Sequence, residues 1–453
     1  MSGSYIVFRG ARRFCVTCAA LAMLVVVWSS AATGAGVNPR IIDGQETRST
    51  DWEFMAALRH YERDPNGFLV ADISVGEGSI QQIESRAFAG SRSSPLVQGK
   101  LADCGDGAAS CPEASGHICL VESRSRLTPE KQAENCWKGG GVGAIVLPDG
   151  YGRVYHRSRR IRRSVIPVFF VGNGEGALAL RNQVGGKARI RARIDLFSFC
   201  GGAYLGSGWV VTAAHCVTGP RGRAKIDARE LAVDLGGGDL AAQGRQVFGV
   251  ERILVHQGYR VRRPFSIEND IALIKLDTVP QSATQVRIAD SALLNRLAQS
   301  GASAVALGRG VTKRLPENMD DIDASWLTTR LYKTTLALSS REDCNERFNA
   351  YRDAAGDDTL ARDPVGESMM CAGTLDGSTG TCLGDSGGPL LVRDRSGYAL
   401  AGLTSWGISC AYPGVDDVFT HVPFFRDEIE SAIRVGRSRS MAQLMLYVVS
   451  RFR

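Results

Sequence analysis

The sequence predicts a mainly β protein with a smaller α/β unit in its N-terminal half, and three observations support this. From Leu196 onward, short apolar or alternating runs recur between Gly, Pro and Asp, the texture of a barrel or a sandwich. Earlier, apolar runs at Ile118–Val121 and Gly143–Leu147 flank a helical stretch at Pro129–Trp137, which is a strand–helix–strand order. Of the twelve cysteines, all but Cys15 and Cys18 lie beyond the N-terminal apolar segment. That leaves an even number in an exported chain, suited to disulfides.

In chain order, Arg9, Arg12 and Arg13 precede an apolar run from Cys15 to Trp28 and then small residues to Gly36. Basic, apolar, small is the order of a secretory signal peptide, so residues 1–35 are expected to be removed and the protein to be secreted or periplasmic. The run is shorter than the ~20 residues a spanning helix needs. Trp52–His60 reads as a strand. Residues 85–195 are rich in Gly and Ser, add an apolar run at Val165–Val171, and offer Thr128 as a helix N-cap. Strands are then expected at Gly208–Ala213, Gln246–Val255, Ile271–Leu276, Ala302–Leu307, Leu390–Val392 and Leu400–Ser405. Phe424–Val435 reads as a closing amphipathic helix. In the tail, 436–453, the run Met441–Val449 between arginines is too short to span a bilayer, and membrane contact through it is not favoured.

Composition mainly excludes. An apolar content of 44% fits neither a disordered chain nor a multi-span membrane protein. The net charge of +7 is scattered except around His156–Arg163, so it reads as solvated surface and nucleic acid is not expected as a partner. The part beyond the signal holds no Cys-x-x-Cys and no His-Glu-x-x-His string. No metal or organic cofactor is expected.

Acyl transfer through a serine needs a nucleophile, a base, an orienter for the base and donors for an oxyanion. Of six histidines, His215 alone sits where an apolar strand turns among small residues, in Val211-Thr212-Ala213-Ala214-His215-Cys216. Asp270 leads the apolar run Ile271–Leu276, where a half-buried carboxylate needs a partner. Ser386 lies in Gly384-Asp385-Ser386-Gly387-Gly388-Pro389, a turn that exposes its hydroxyl and leaves the amides of Gly384 and Ser386 available to an oxyanion. Each string by itself also suits a plain turn or hairpin.

The strings around His215, Asp270 and Ser386, in that order, resemble the trypsin/chymotrypsin family of serine proteases. The resemblance covers residues 41–60 and 196–434. It implies two antiparallel β-barrels of the chymotrypsin type with a C-terminal helix, formed by 41–84 and 196–435, and a catalytic triad of His215, Asp270 and Ser386 with Gly384 and Ser386 as the oxyanion hole. It also implies bridges Cys200–Cys216, Cys344–Cys371 and Cys382–Cys410. A further family bridge falls on Ala304 and Val392, both halves being absent together. Arg309 stands where the family has Trp, a departure the sequence leaves unexplained. The family's calcium loop maps to Gly236–Gly244, where Asp239 is the lone carboxylate, so no strong calcium site is expected.

Arg40-Ile41-Ile42-Asp43-Gly44 resembles the family's activation site, with 36–40 as a short propeptide. The resemblance implies cleavage after Arg40, by another protease or by the protein itself, and pairing of the new Ile41 ammonium with Asp385. At the family's primary specificity position stands Gly380, followed by Thr381, so the usual acid is missing. In the ungapped register from Cys410, which is favoured, Asp417 falls at the pocket base and implies a preference for cleavage after Arg or Lys. In the rival register Pro413-Gly414-Val415 takes the family's place, Asp417 lies in a solvated loop and preference is broad or apolar. Ser405-Trp406-Gly407 resembles the edge that pairs with an extended substrate backbone. Residues 85–195 resemble a protease-associated domain, with Cys104, Cys111, Cys119 and Cys136 forming two bridges of open pairing. The expected function is therefore a secreted serine endopeptidase acting on proteins or peptides; the alternative is a non-catalytic binding protein that retains the fold.

Overall fold

The computed structural model describes residues 41, 44–47, 49–64, 68–76, 81–87, 95–123, 127–148, 164–171, 174–219, 226–313 and 326–437. The expected signal, the propeptide with Arg40, the cluster His156–Arg163 and the tail from 438 lie outside them.

Two closed six-stranded antiparallel barrels carry the molecule. In the first, the ring runs Cys200–Gly206, Trp209–Thr212, Ala272–Leu276, Gln246–Val255, Leu231–Leu235 and Met55–His60. In the second, it runs Tyr332–Ser339, Ser303–Gly308, Pro389–Asp394, Gly397–Trp406, Asp417–His421 and Met369–Gly373, closed by the pairing of its first and last strands. The short strand Gln45–Glu46 lies along Tyr332–Ser339, outside the ring. Barrel closure removes unpaired edges, and alternate residues fill each interior.

Helices α1 (Pro129–Lys138), α2 (Gly174–Arg181), α3 (Ser291–Gln299), α4 (Arg341–Ala355) and α5 (Arg426–Arg437) complete the described fold. Ile429 and Ala432 of α5, with Phe425 just before it, fall at helical spacing and enter the core of the first barrel. The C-terminal helix thus clamps back onto the barrel that holds His215 and Asp270. The bridges Cys200–Cys216, Cys344–Cys371 and Cys382–Cys410 are formed. Ala304 and Val392, at the absent bridge, are both buried in one apolar cluster of the second barrel.

A third, seven-stranded closed sheet interrupts the first barrel between Met55–His60 and Cys200–Gly206. Four of its strands, Leu96–Asp103, Ile118–Glu122, Gly143–Leu147 and Val168–Phe170, run parallel. Thr128 caps α1, its hydroxyl accepting from the Lys131 amide, and Cys119–Cys136 ties that helix to its neighbouring strand, beside Cys104–Cys111. The unit begins earlier than the expected 85. Leu69–Val75 pairs with Gln81–Ala87 and with Lys187–Ala192, not with either protease barrel. A short alternating strand states that it has a buried face but not which sheet supplies it, and this one went to the insert.

The insertion is anchored where its two ends meet, since Tyr61 and Ile194 form a bridge. Its core also reaches into the protease. Along Leu231–Leu235, the odd positions Leu231, Val233 and Leu235 fill the first barrel, whereas Ala232 packs with Tyr61, Leu69 and Ile190 in the core of the insert. That explains why the whole strand is buried.

These contacts set different expectations for two deletions. Removing 85–195 strands Leu69–Val75 without its partners and should give aggregated protein. Joining 61 to 194 leaves both barrels paired and should give a folded monomer with a cooperative melt. Size-exclusion chromatography and thermal denaturation of the two proteins test this.

Candidate active site

The first barrel sets up a His–Asp pair. Trp209–Thr212 ends in a turn at Ala214–Val217, and Ala213 and Ala214 are fully buried, so only small side chains fit there. The His215 amide donates to Asp270 Oδ1 at 2.9 Å, and His215 Nδ1 donates to Asp270 Oδ2 at 2.7 Å. Asn269 adopts φ of +52°, a conformation Asn tolerates, and the turn it makes directs Asp270 inward. The carboxylate is 2% exposed and also accepts from Ser405 Oγ at 2.6 Å.

Burial pushes the Asp270 carboxyl up, but the charge and hydrogen bonds of His215, with Ser405, outweigh it and hold the group below its ordinary range. Burial likewise pushes His215 down, and Asp270 overcomes that to raise it above its ordinary value. His215 Nε2 faces away from the carboxylate, 3.8 Å from Cys216 Sγ.

The second barrel brings up Ser386. Gly384 has φ of +94° and Gly387 of +73°, values that exclude ordinary side chains. A Cβ on Gly387 would lie 2.3 Å from Thr212 Oγ1, and one on Gly384 would lie 2.9 Å from Gly310 Cα. The seam is closed by the Gly201 amide, which donates to Ser386 O at 2.7 Å, and by Thr212 Oγ1, which donates to Gly201 O at 2.8 Å. Ser386 is partly exposed. Among the described residues no hydrogen bond joins its hydroxyl to His215. In the same turn the amides of Asp385, Gly387 and Gly388 donate to backbone carbonyls, whereas those of Gly384 and Ser386 donate to none among the described residues.

Asp385 is 1% exposed and accepts from the amides of Gly310 at 2.8 Å and Cys382 at 2.9 Å. No cation pairs with it among the described residues, and burial, aided by the charge of Asp417, pushes it up to about 7. Ile41 is 1% exposed, with Gly44 N donating to its carbonyl.

Asp417 begins a strand, pairs with Ala372 and is 7% exposed, so it does not sit in a solvated loop. Its Oδ2 accepts from Thr381 N at 2.7 Å and Thr381 Oγ1 at 2.9 Å, and its Oδ1 faces Gly407, 3.3 Å from where a Cβ would stand. The carboxylate therefore lies between Thr381 and Gly407. Burial, aided by Asp416, pushes it up to about 7. Gly380 packs on Ala411, with 3.0 Å from its Cβ position to Ala411 Cα, so a side chain there would require Ala411 to shift. Trp406 turns its ring onto Phe265 and Phe348. Two sulfur groups have metal-ligand proximity, Cys200–His215–Cys216 and Cys104–Cys111–Cys119, but every one of these sulfurs is in a disulfide. Such a donor set does not fit a metal.

Two antiparallel barrels meeting at such a seam define a class, and the protein is a serine endopeptidase. The family model described as Trypsin matches residues 179–429, more than half of the chain, and the chain belongs to the trypsin family. It is similar to Trypsin-1 of Astacus astacus, 30% identical over 240 residues, which are 52% of this chain and 88% of that protein. Vitamin K-dependent protein C of Mus musculus is 30% identical over 240 residues, 52% of this chain and 46% of that protein. Trypsin eta of Drosophila erecta is 29% identical over 234 residues, 52% of this chain and 78% of that protein. The strand Met55–His60 lies ahead of the family match, although it closes the first barrel, because the insertion separates it from the rest.

Replacing Asp270 by Asn removes the charge that raises His215 and leaves at most a neutral hydrogen bond to set against its burial. The His215 ring, followed by its NMR resonances, should then titrate below the ordinary ~6.5, against above it in the unmodified protein. An unchanged midpoint would mean that the carboxylate does not act on the ring.

Proposed function

We propose that His215, Asp270 and Ser386 are the catalytic triad of this endopeptidase. Ser386 Oγ attacks the scissile carbonyl carbon while its proton passes to His215 Nε2. The tetrahedral oxygen is received by the amides of Gly384 and Ser386. His215 then gives the proton to the leaving amine, and water repeats the sequence on the acyl-enzyme. The observation that carries this reading is the buried Asp270–His215 pair, which fixes the ring with Nδ1 protonated and Nε2 basic. The Gly384 and Ser386 amides, which donate to no backbone carbonyl among the described residues, supply the donors an oxyanion requires.

On the same reading the substrates are proteins or peptides cut after Arg or Lys. Asp417 replaces the missing acid at Gly380, Thr381 and Gly407 form the walls, and Ser405–Gly407 is the edge on which substrate backbone is laid. The chain is made as a precursor. Cleavage after Arg40, by another protease or by the enzyme itself, frees an ammonium at Ile41 for Asp385, whose burial without a cation is what such a partner relieves. Five disulfides suit export to an oxidising compartment, and the parallel strands with α1 and α2 suit a protease-associated domain.

Protein processed to begin at Ile41, assayed on peptides varied at the residue before the scissile bond, should cut after Arg and Lys. Ser386→Ala should lose this activity. Asp417→Gly should lose about 100-fold or more in kcat/KM on Arg substrates while retaining apolar ones. For the unmodified enzyme, KM on Arg substrates should rise as pH falls below about 7, where Asp417 gains its proton. Cleavage after large apolar residues alone would discard Asp417 as the determinant.

The precursor should also differ from the processed form in stability. A carboxyl raised in the folded state stabilises fully below its unfolded value of ~3.9, and that contribution fades as pH rises through the folded value, here about 7 for Asp385. An uncuttable Arg40→Gln precursor should therefore lose urea stability between about pH 4 and 7 relative to the processed enzyme, whose Ile41 ammonium holds Asp385 ionised. Parallel curves for the two forms would count against the pairing.

A further inference from the structure

Arg309 is the residue of the second barrel's Gly308–Gly310 segment that departs from the resembled pattern, and the structure shows where its side chain goes. It is 2% exposed and reaches into the first barrel, where Nη2 donates to Gly236 O at 3.0 Å and to Gly238 O at 2.9 Å. Its Nε and Nη1 are buried with no acceptor. The site around it is already positive. Asp234, fully buried, is held by Arg59 at 2.9 Å and by Arg245 at 2.6 Å, and Arg245 also donates to Gly236 O. Asp239 lies farther out, paired with Arg330. Burial and the two neighbouring guanidiniums act against Arg309, and Asp234 and Asp239 favour it; together they push it down to about 9. A buried cation with two orphaned donors is unfavourable for folding by itself.

The backbone on either side of Arg309 holds the turn that carries Ser386. Gly310 N donates to Asp385 Oδ1 at 2.8 Å, and Val311 N to Leu383 O at 2.7 Å. The fit is tight, because a Cβ on Gly384 would lie 2.9 Å from Gly310 Cα and one on Gly308 would lie 1.8 Å from Asp385 Oδ1. One short segment therefore faces two ways. Its side chain is pinned to the Gly236–Gly238 loop, and its backbone cradles Gly384 and Asp385.

We propose that Arg309 is a positioning residue: its clasp on the carbonyls of Gly236 and Gly238 fixes the Gly308–Val311 cradle, and through it the Gly384 and Ser386 amides that receive the oxyanion. The loop reaches further, since Asp239 and Glu46 share Arg330. Glu46 stands in the strand just after the activation segment, so the clasp lies between that strand and the oxyanion turn. The inference rests on the proposed role of those two amides.

The test compares enzyme processed to Ile41 with Arg309→Met and Arg309→Lys. A peptide aldehyde places a tetrahedral oxygen on the oxyanion amides, whereas an aryl amidine uses only the specificity pocket. Arg309→Met should lower kcat about 10-fold or more with KM within about twofold. Aldehyde affinity should fall by the same factor and amidine affinity should hold. Arg309→Lys should recover part of the loss, because a cation still reaches the carbonyls. Hydrogen exchange over residues 383–388 should speed up in both variants, a readout that needs no catalysis. It separates failure of this inference from failure of the catalytic reading, which Ser386→Ala tests. Unchanged kcat, aldehyde affinity and exchange would overturn the proposal, as would an equal loss of amidine binding, which marks general loosening. Should the Met variant not fold, the Lys variant carries the same comparison.

Discussion

The site depends on how closely two glycines approach across the seam of the barrels. A Cβ on Gly201 would lie 2.8 Å from Gly388 Cα and 3.0 Å from its nitrogen, distances that real side chains do not tolerate. Only with Gly201 bare can its amide reach Ser386 O, and that bond joins the barrel holding His215 and Asp270 to the turn holding Ser386. Gly388 is bare for a different reason, since a Cβ there would lie 2.6 Å from Leu307 O and 2.7 Å from Asp385 O. Thr212 then closes on Gly201 O, and Gly387 must turn beneath Thr212 with positive φ. Gly387 of the serine turn is in this sense a consequence of the seam as much as of the chemistry.

The interior treats its carboxylates in two ways. Asp234, Asp270 and Asp416 each have a cationic or potentially cationic partner, in Arg59 with Arg245, in His215 and in Arg347. Asp385 and Asp417 have only amides or a hydroxyl among the described residues, and both are pushed up to about 7. Burial without a countercharge is unfavourable for folding, and such groups gather at functional sites. The two lone acids are those for which the proposed function supplies an outside cation, a new chain terminus for one and a substrate side chain for the other. Their charges also oppose each other, so neutralising one eases ionisation of its neighbour.

Much of the protease region was legible because its chemistry is local. The turns at His215 and Ser386 and the strand led by Asp270 each announce themselves within about six residues by small or apolar neighbours. What could not be read was partnership between distant segments. Leu69–Val75 carries a strand pattern that suits any half-buried sheet, and only pairing assigned it to the insert. Asp234 is a charge within an apolar strand, and nothing near it in sequence marks that it gathers Arg59 and Arg245 from elsewhere in the chain. Arg309 gave no hint of its direction, since a guanidinium buried against backbone carbonyls leaves no mark in sequence. Asp417 was readable only through a choice of register, and its strand pairing with Ala372 shows only that it lies outside a loop.

The insert is more than a domain hung on a loop. Residues of a single strand, Leu231–Leu235, are divided between two cores, and Asp234 of that strand is buried by Arg59 and Arg245. Arg59 in turn donates to Asp195 O, at the point where the chain leaves the insert. Loosening the inserted sheet therefore uncovers Ala232 and disturbs Arg59 together, and both lie in the barrel that orients His215 through Asp270.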